Sequence, residues 1–351
     1  MVDTEHDQST GDSLGERLAA WLSRTEGINV EVRGLEAASA GARRFNAVFE
    51  AVTAGSTRRL AITMIPAAAI QLLDVRGEAA VRSAAEAVGV PVPHVHHVCP
   101  DDEVLGGPFF LSTAVDGETV PRRVLRLVHE HGIGELVTAQ LGEAMARLHT
   151  IDDAHAPEPL PRPAGGRPLE TAIAEIDEHL GTLLTPSPVF SYGARWLERN
   201  APPEPSNTTV VHSDIRTGNI IVGPDGLRAV LDWETSRVGD PMEDLAWACN
   251  RMWRFRDDER TVGGMAGIDV LREAYVEAGG EWDHDRFVWW RVLGAVRWGL
   301  GLAGQARAHL DGSFHSIVMA ASGRRVPELE YDTLLLLRPD TDHRSGGTPS
   351  P

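Results

Sequence analysis

The sequence predicts an α+β protein in two parts, a small lobe built on an antiparallel sheet and then a larger, mainly helical lobe. Three observations carry this reading. The segments "NAVFEAVT" and "RRLAITMI" are alternating and β-branched, and the turn-forming "AGST" between them makes them a hairpin. Beyond Gly117 the apolar residues recur at helical spacing, "GIGELVTAQLGEAMARLHTI" first. Only around 210–234 do strand-like segments, "NIIVG" and "LRAVLDW", interrupt the helices, joined by the turn Pro224-Asp225-Gly226.

The elements follow in order. Ser13 and Glu16 before "RLAAWL" form a capping box, so a first helix runs to about Arg24. After the hairpin, "LLDVRGEAAVRSAAEAVGV" is helical and ends at Gly89; Pro91 and Pro93 then force "PVPHVHHV" into an extended form. "GGPFFLSTAV" is a further strand. The Pro-rich "APEPLPRPAGGRP" is a surface loop, and "LETAIAEIDEHLGTLL", "PMEDLAWACNRMWRF", "IDVLREAYVEAGG" and "DRFVWWRVLGAVRWGLGLAGQARAHL" are helices. The expected division is a disordered tail at 1–12, a small nucleotide-side lobe at 13–117, a helical catalytic and substrate lobe at 118–337, and a second disordered tail at 338–351.

Composition narrows the function. The 351 residues are 42% hydrophobic, ample for a globular core. With 51 acidic against 33 basic residues the net charge is -18, which excludes nucleic acid as an expected partner, because phosphate-backbone binding needs a basic surface. Cys99 and Cys249 are isolated, so neither a disulfide framework nor a zinc site is expected, and a reducing cytosol fits. The acidic start lacks the basic and apolar regions of a signal peptide, and no run approaches the roughly 18 apolar residues of a membrane span. A soluble, cytoplasmic protein without a membrane partner is the expectation. Two decoys fail on context. "GDSLG" at Gly11–Gly15 lacks the preceding strand of a nucleophile elbow, and His94, His96 and His97 alternate along an extended segment without a fourth ligand.

The chemistry concentrates in "VVHSDIRTGNIIVGPDGLRAVLDWE", residues 210–234. Asp214 and Asn219 have the D-x-x-x-x-N spacing in which the Asp accepts a hydroxyl proton and the Asn binds a metal. Asp232 ends the hairpin that follows, so Asn219 and Asp232 supply the oxygens a hard cation such as Mg2+ prefers. His212 reads as a loop anchor. Arg216 has two readings, a substrate or phosphate contact or an ion pair with a carboxylate such as Glu234. Asp240 and Asp244 read as caps or braces of the helix that starts at Pro241.

"HSDIRTGNIIVGPDGLRAVLDWE", with "GDPMEDLAW" after it, resembles the aminoglycoside phosphotransferase-like kinase family. Ser213 stands where that family carries Gly. "VPVPHV", "LGGPFFLSTAVDGE" and "MARLHTID" extend the resemblance over about Ser39 to His309. It implies a protein-kinase-like two-lobed fold and transfer of the γ-phosphate of ATP or GTP, with Mg2+, to a hydroxyl of a small molecule. It also implies Asp214 as base and Asn219 and Asp232 as metal ligands. A kinase of this fold places a cation on the third strand and pairs it with a helix Glu. Glu78 falls where that Glu belongs, but "LAITMIP" carries Thr63 and Met64 where the cation belongs. Arg58 and Arg59 lie upstream, and Arg43 and Arg44 beside Gly41 either contact phosphates from the loop "ASAGARRFN" or are solvated.

Two functions follow: a small-molecule phosphotransferase, or a degenerate kinase-fold binding module with weak or absent nucleotide binding. On the substrate side, Trp290, Leu293, Val296 and Leu300 are core by spacing. Trp289, Arg291, Arg297 and Trp298 fall on other faces as cleft candidates, with Glu234. The branch resembled includes kinase domains joined to acyl-CoA dehydrogenases, which implies a hydroxyacyl acceptor rather than an aminoglycoside. A dehydrogenase label can be inherited in that way; flavin chemistry is not expected.

Overall fold

The computed structural model describes residues 13–40, 44–65 and 73–338. The loop residues Gly41 and Arg43, and the segments 1–12 and 339–351 read as tails, lie outside the described residues. Packing divides the chain into two units.

The first unit opens with α1 (Leu14–Glu26), whose Ser13–Glu16 capping box forms as expected: Glu16 N donates to Ser13 Oγ and Ser13 N to Glu16 Oε2. The strands β1 (Glu31–Ala40), β2 (Phe45–Val52), β3 (Thr57–Met64), β4 (Val95–Cys99) and β5 (Phe109–Thr113) form one five-stranded sheet in the order β1-β2-β3-β5-β4, antiparallel throughout. β1 escaped the sequence reading because it is an edge strand. Its charged residues, Glu31, Arg33 and Glu36, face solvent, so it lacks the apolar alternation of a half-buried strand. Leu18 and Leu22 of α1 close the core against Phe49, Leu60, Ile62, Phe109 and Leu111, all buried. Arg58 is committed here: its guanidinium pairs with Glu26 at 2.7 Å, and His97 Nε2 meets the same carboxylate at 2.9 Å.

The second unit takes up α2 (Val75–Ala87), which the sequence reading had assigned to the small lobe. Val81 and Ala85 of α2 bury among helices of this unit, Gly77 lies against Pro159, and Arg147 Nη1 donates to Gly89 O at 3.0 Å. The unit continues with α3 (Pro121–His131), α4 (Gly134–Leu148), α5 (Pro168–Gly181), α6 (Pro188–Arg199), β6 (Thr209–Val211), β7 (Ile220–Gly223), β8 (Gly226–Val230), β9 (Arg237–Gly239) and α7 (Pro241–Ala248). It ends with α8 (Ile268–Glu277), α9 (His284–Leu310), α10 (Ile317–Ser322) and α11 (Val326–Leu336). β7 and β8 are the expected hairpin; β6 pairs with β9. The stretch "PMEDLAWACNRMWRF" is not one helix: α7 stops at Ala248, and a separate 3-10 turn covers Arg251–Arg254.

α9 is the axis of this unit. α5, α6, α7, α10 and α11 all pack on it, so Trp290, Leu293, Val296 and Leu300 are buried as read from their spacing. The surround also buries Trp289, which is 1% exposed and donates its indole N–H to Leu197 O at 3.0 Å. The sequence reading placed Trp289 on a cleft because it assumed a one-sided helix; a helix packed on most of its faces has no such side. No helix among the described residues is long and apolar enough to cross a membrane.

Close packing of α4 on α8 requires Gly142. A Cβ there would lie 2.8 Å from Leu271 O and 3.2 Å from the Ala274 Cβ. Gly142→Ala gains about 1 kcal/mol of helix propensity and loses about 1–3 kcal/mol to overpacking. Net destabilisation is therefore expected, seen as a lower urea midpoint; an unchanged or higher midpoint would show that the two helices part without cost.

Candidate active site

The residues read from sequence as catalytic converge on one loop, and each is placed by a different local cause. β6 delivers the chain to His212, the loop turns through Ser213 and Asp214, and a 3-10 turn at Thr217–Asn219 leads into β7. The β7–β8 hairpin then folds back so that Leu231 N donates to Asn219 O at 2.8 Å. Asp232 follows directly. The sequence gap between Asn219 and Asp232 is closed by that hairpin.

Three side chains hold the Asp214 carboxylate. Asn219 Nδ2 donates to Oδ2 at 2.7 Å, Trp247 Nε1 to Oδ1 at 2.8 Å, and Arg216 Nε lies 3.2 and 3.1 Å from Oδ1 and Oδ2. The carboxylate that Arg216 pairs with is thus Asp214, while its guanidinium lies 5.3 Å from the Trp253 ring centre. Burial pushes the Asp214 carboxyl above its ordinary value of 3.8, and the Asp232 charge adds to this. The Arg216 charge, the neighbouring His212 and the Trp247 hydrogen bond oppose it. A raised carboxyl suits a group that must take a proton near neutral pH.

Backbone geometry at the loop is strained at two points. Ser213 has φ 67° and Asp232 φ 64°, both in the left-handed region that favours glycine. Ser213 is the position where the resembled family has Gly, and this chain holds the conformation by hydrogen bonding. Ser213 N donates to Asp244 Oδ1 at 2.6 Å and His212 N to Asp244 Oδ2 at 2.8 Å. His212 Nε2 lies 2.9 Å from Leu231 O, and its Nδ1 accepts from Asp214 N at 3.2 Å, so the ring ties both arms of the loop together.

Asp240 and Asp244, both read as caps or braces of α7, differ in what they do. Asp240 caps the helix through Met242 N at 3.0 Å and accepts from Trp290 Nε1 at 2.8 Å. Asp244 points the other way, into the Asp214 loop. His149, from the end of α4, reaches Asp244 Oδ2 at 3.2 Å through Nε2, and its Nδ1 lies 2.9 Å from the Tyr275 hydroxyl on α8.

The remaining candidates separate. Glu234 is half-buried in the turn after Trp233. Trp298 packs edge-to-face on Trp247 and at a tilt on Trp253, at ring-centre distances of 5.8 and 5.3 Å. Arg297 is spent on Glu243 at 2.7 Å and Glu175 at 3.2 Å. Arg291 lines a different cavity, treated below. In the sheet unit, Thr63 Oγ1 donates to Asn46 Oδ1 at 2.9 Å, a neutral pair where a phosphate-binding cation was sought. Arg44 is described and half-buried just before β2, whereas Arg43 is not among the described residues; Glu78 is 1% exposed on α2. Sequence reasoning missed Trp247, because an indole on an apolar helix face reads as core until its N–H is seen on Asp214.

An antiparallel-sheet lobe and a mainly helical lobe carrying an Asp–Asn–Asp loop define a kinase-like fold. The chain belongs to the phosphotransferase enzyme family, whose model matches residues 36–290. Among curated relatives it is 26% identical over 259 residues to acyl-CoA dehydrogenase family member 10 of Mus musculus. That match takes in 70% of this chain and 24% of the relative, so the chain spans about a quarter of the protein it matches. A Ralstonia eutropha protein described as an aminoglycoside phosphotransferase has the same fold, with TM-score 0.66, 23% identity and coverage of 92% and 97% of the two chains. Aminoglycoside phosphotransferase APH(4)-Ia, solved as a ternary complex with AMP-PNP and hygromycin B, superposes with TM-score 0.58 at 18% identity over 90% of this chain and 98% of that one.

Two outcomes are expected. The Asp214 carboxyl carbon, assigned by its loss in Asp214→Asn, titrates above 3.8 by carbon NMR; a midpoint at or below that value would remove the case for a tuned base. The sign is that of an acid whose folded form holds its proton more tightly than the unfolded chain, so its ionisation takes stability away as pH rises. Ser213→Gly relieves a left-handed L-residue and is expected to stabilise by about 0.5–1 kcal/mol. That gain is read from chemical denaturation, and a loss would mean the Ser213 side chain contributes more than its strain costs.

Proposed function

We propose that this chain transfers the γ-phosphoryl group of ATP or GTP to a hydroxyl of a small molecule, with Asp214 as the general base. The observation that carries the reading is the Asp214 carboxylate. It is oriented by Asn219, Trp247 and Arg216 and raised by burial, as a proton acceptor for an attacking hydroxyl needs to be. Asn219 and Asp232 fit a magnesium ion. The Asn219 amide nitrogen is turned to Asp214 O and Oδ2, which directs its carbonyl oxygen elsewhere, and Asp232 adds a carboxylate. Among the described residues no group of three or more His, Cys, Asp or Glu side chains could hold a metal alone. Magnesium commonly takes one or two protein carboxylates and completes its shell with phosphates and water. Bound there with the nucleotide, it would neutralise charge on the phosphates during transfer.

In this reading Asp214 aligns the acceptor hydroxyl and takes its proton. Arg216 and the two amide and indole donors keep the carboxylate from rotating, so little reorganisation is needed at the moment of transfer. The acceptor we favour is a hydroxyacyl compound rather than an aminoglycoside. The likeness to acyl-CoA dehydrogenase family member 10 supports this, as does the pairing of acids near α9 with arginines, which leaves few carboxylates for a polycation.

A second reading, a kinase-fold binding module without turnover, draws on the Thr63–Asn46 pair in place of a phosphate-binding cation and on the commitment of Arg58 to Glu26. Calorimetry with magnesium and ATP or GTP separates the two. Binding is expected, and no detectable heat at millimolar nucleotide would sink the phosphotransferase reading. Given binding, Asp214→Asn should lower turnover about 10²–10⁴-fold, the usual contribution of a positioned base, while nucleotide affinity stays nearly unchanged. Equal losses in both would reassign Asp214 to binding.

A further inference from the structure

Within the helical unit, a cavity of about 260 Å³ opens between the end of α7, the 3-10 turn at Arg251–Arg254, α9 and α11. Three arginines line it, and they are not equivalent. Arg251 is neutralised, with Nε and Nη2 each 2.9 Å from the Asp258 carboxylate and Nη1 3.0 Å from Asp332 Oδ1. Arg254 and Arg291 have no carboxylate partner among the described residues. Arg254 is 6% exposed; its Nη2 donates to Cys249 O at 2.8 Å and its Nε donates to nothing. Arg291 lies 6.0 Å from the Phe287 ring centre and enters no hydrogen bond or ion pair among the described residues. Beside them Asn250, 7% exposed, leaves its Nδ2 without an acceptor.

Such an arrangement is costly by itself. Burial, then the Arg291 charge, push Arg254 down to about 10 although Asp258 and Asp332 oppose them, and burial lowers the half-buried Arg291 as well. Buried donors that lack an acceptor cost roughly 1–3 kcal/mol each, more when charged. Such atoms occur elsewhere among the described residues, but Arg254 Nε and Asn250 Nδ2 belong to residues that line one cavity together. Asp258 and Asp332 also line the cavity and their charges reach Arg254, but their hydrogen bonds go to Arg251, so three guanidinium groups face two carboxylates. The partner is therefore an anion from outside the chain.

The rest of the lining narrows its chemistry. Leu335, Leu336 and the buried Cys249 make up the apolar part of the lining. A phosphate or sulfate would set charged oxygens against that part. A carboxylate with a hydrocarbon chain matches both parts, since the planar guanidinium fork suits carboxylate oxygens and the apolar residues suit methylenes. A cavity of this size admits a small ligand, on the order of a short-chain carboxylate.

We propose that this cavity is a binding site for a short-chain aliphatic carboxylate, held by Arg254 and Arg291 at its head and by Leu335 and Leu336 along its chain. The occupant need not carry a hydroxyl, and its binding does not depend on phosphoryl transfer at Asp214. A failure here leaves the phosphotransferase reading intact, and the reverse also holds.

The test uses the full chain without nucleotide. Hexanoate, butanoate, acetate and inorganic phosphate are compared for their ability to slow phenylglyoxal modification of Arg291, read by peptide mass spectrometry, and to raise the thermal midpoint. Hexanoate is expected to protect at concentrations about tenfold below those of acetate or phosphate. Arg291→Gln should abolish the hexanoate-induced midpoint shift, and Leu336→Glu should weaken hexanoate about tenfold. Protection by phosphate or acetate as strong as by hexanoate overturns the assignment, as does an undiminished hexanoate shift in Arg291→Gln. Should either variant fail to fold, the protection series on the unaltered chain decides alone.

Discussion

Asp244 is fully buried, and its two oxygens accept from His212 N, Ser213 N and His149 Nε2, drawing the ends of β6, α4 and α7 to one point. Burial by itself would raise this carboxyl, but the hydrogen bond from His149, the electrostatic influence of His149 and His212 and the His212 backbone N–H leave it below its ordinary value. With a folded value below the unfolded one, its stabilisation is present above the unfolded carboxylate range and is lost as pH falls through the lower folded value. The left-handed Ser213, the orientation of Asp214 and the meeting of Asn219 with the Asp232 arm all follow from a loop pinned in this way. Without Asp244, two backbone N–H groups and the Nε2 of His149 would lose their partner in a buried place, at about 1–3 kcal/mol each.

The distribution of arginines decides much of the rest. Arg58 closes α1 on the sheet through Glu26, Arg216 steadies Asp214, and Arg297 joins Arg237 on the buried Glu243. On β3 of the sheet unit Thr63 bonds Asn46 and Arg58 is tied to Glu26, while Arg254 and Arg291, which make no ion pair among the described residues, belong to the helical unit. Two arginines of this acidic chain therefore line a cavity that also has apolar residues.

How much of this was legible depended on whether the signal was local. The α1 capping box, the β2–β3 hairpin, α5, α8 and α9 were readable because caps, turns and periodicity act within a few residues. β1 was not, since an edge strand of charged residues carries no alternation. α3 and α6 were passed over although each has proline in its first turn. The long helix read after Pro241 broke at Ala248, where the chain turns to place Asn250. In the site, Asp214, Asn219, Asp232 and His212 stood in one stretch of sequence. Trp247, Tyr275 and His149 entered from elsewhere, and an isolated Trp, Tyr or His does not announce what it will touch.

From the sequence alone came the order of elements, the acidic surface, the Asp–Asn–Asp loop and the lack of a cation in "LAITMIP", because each rests on residue identity and short spacing. Tertiary structure decided which carboxylate Arg216 pairs with, that Asp244 faces the loop rather than its own helix, that α2 packs with the helical unit, and that Trp289 is core while Arg291 lines a cavity. The physical reason is the same in each case. A side chain's partner is set by which elements crowd around it, and crowding arises between segments tens to hundreds of residues apart, beyond the reach of any local pattern.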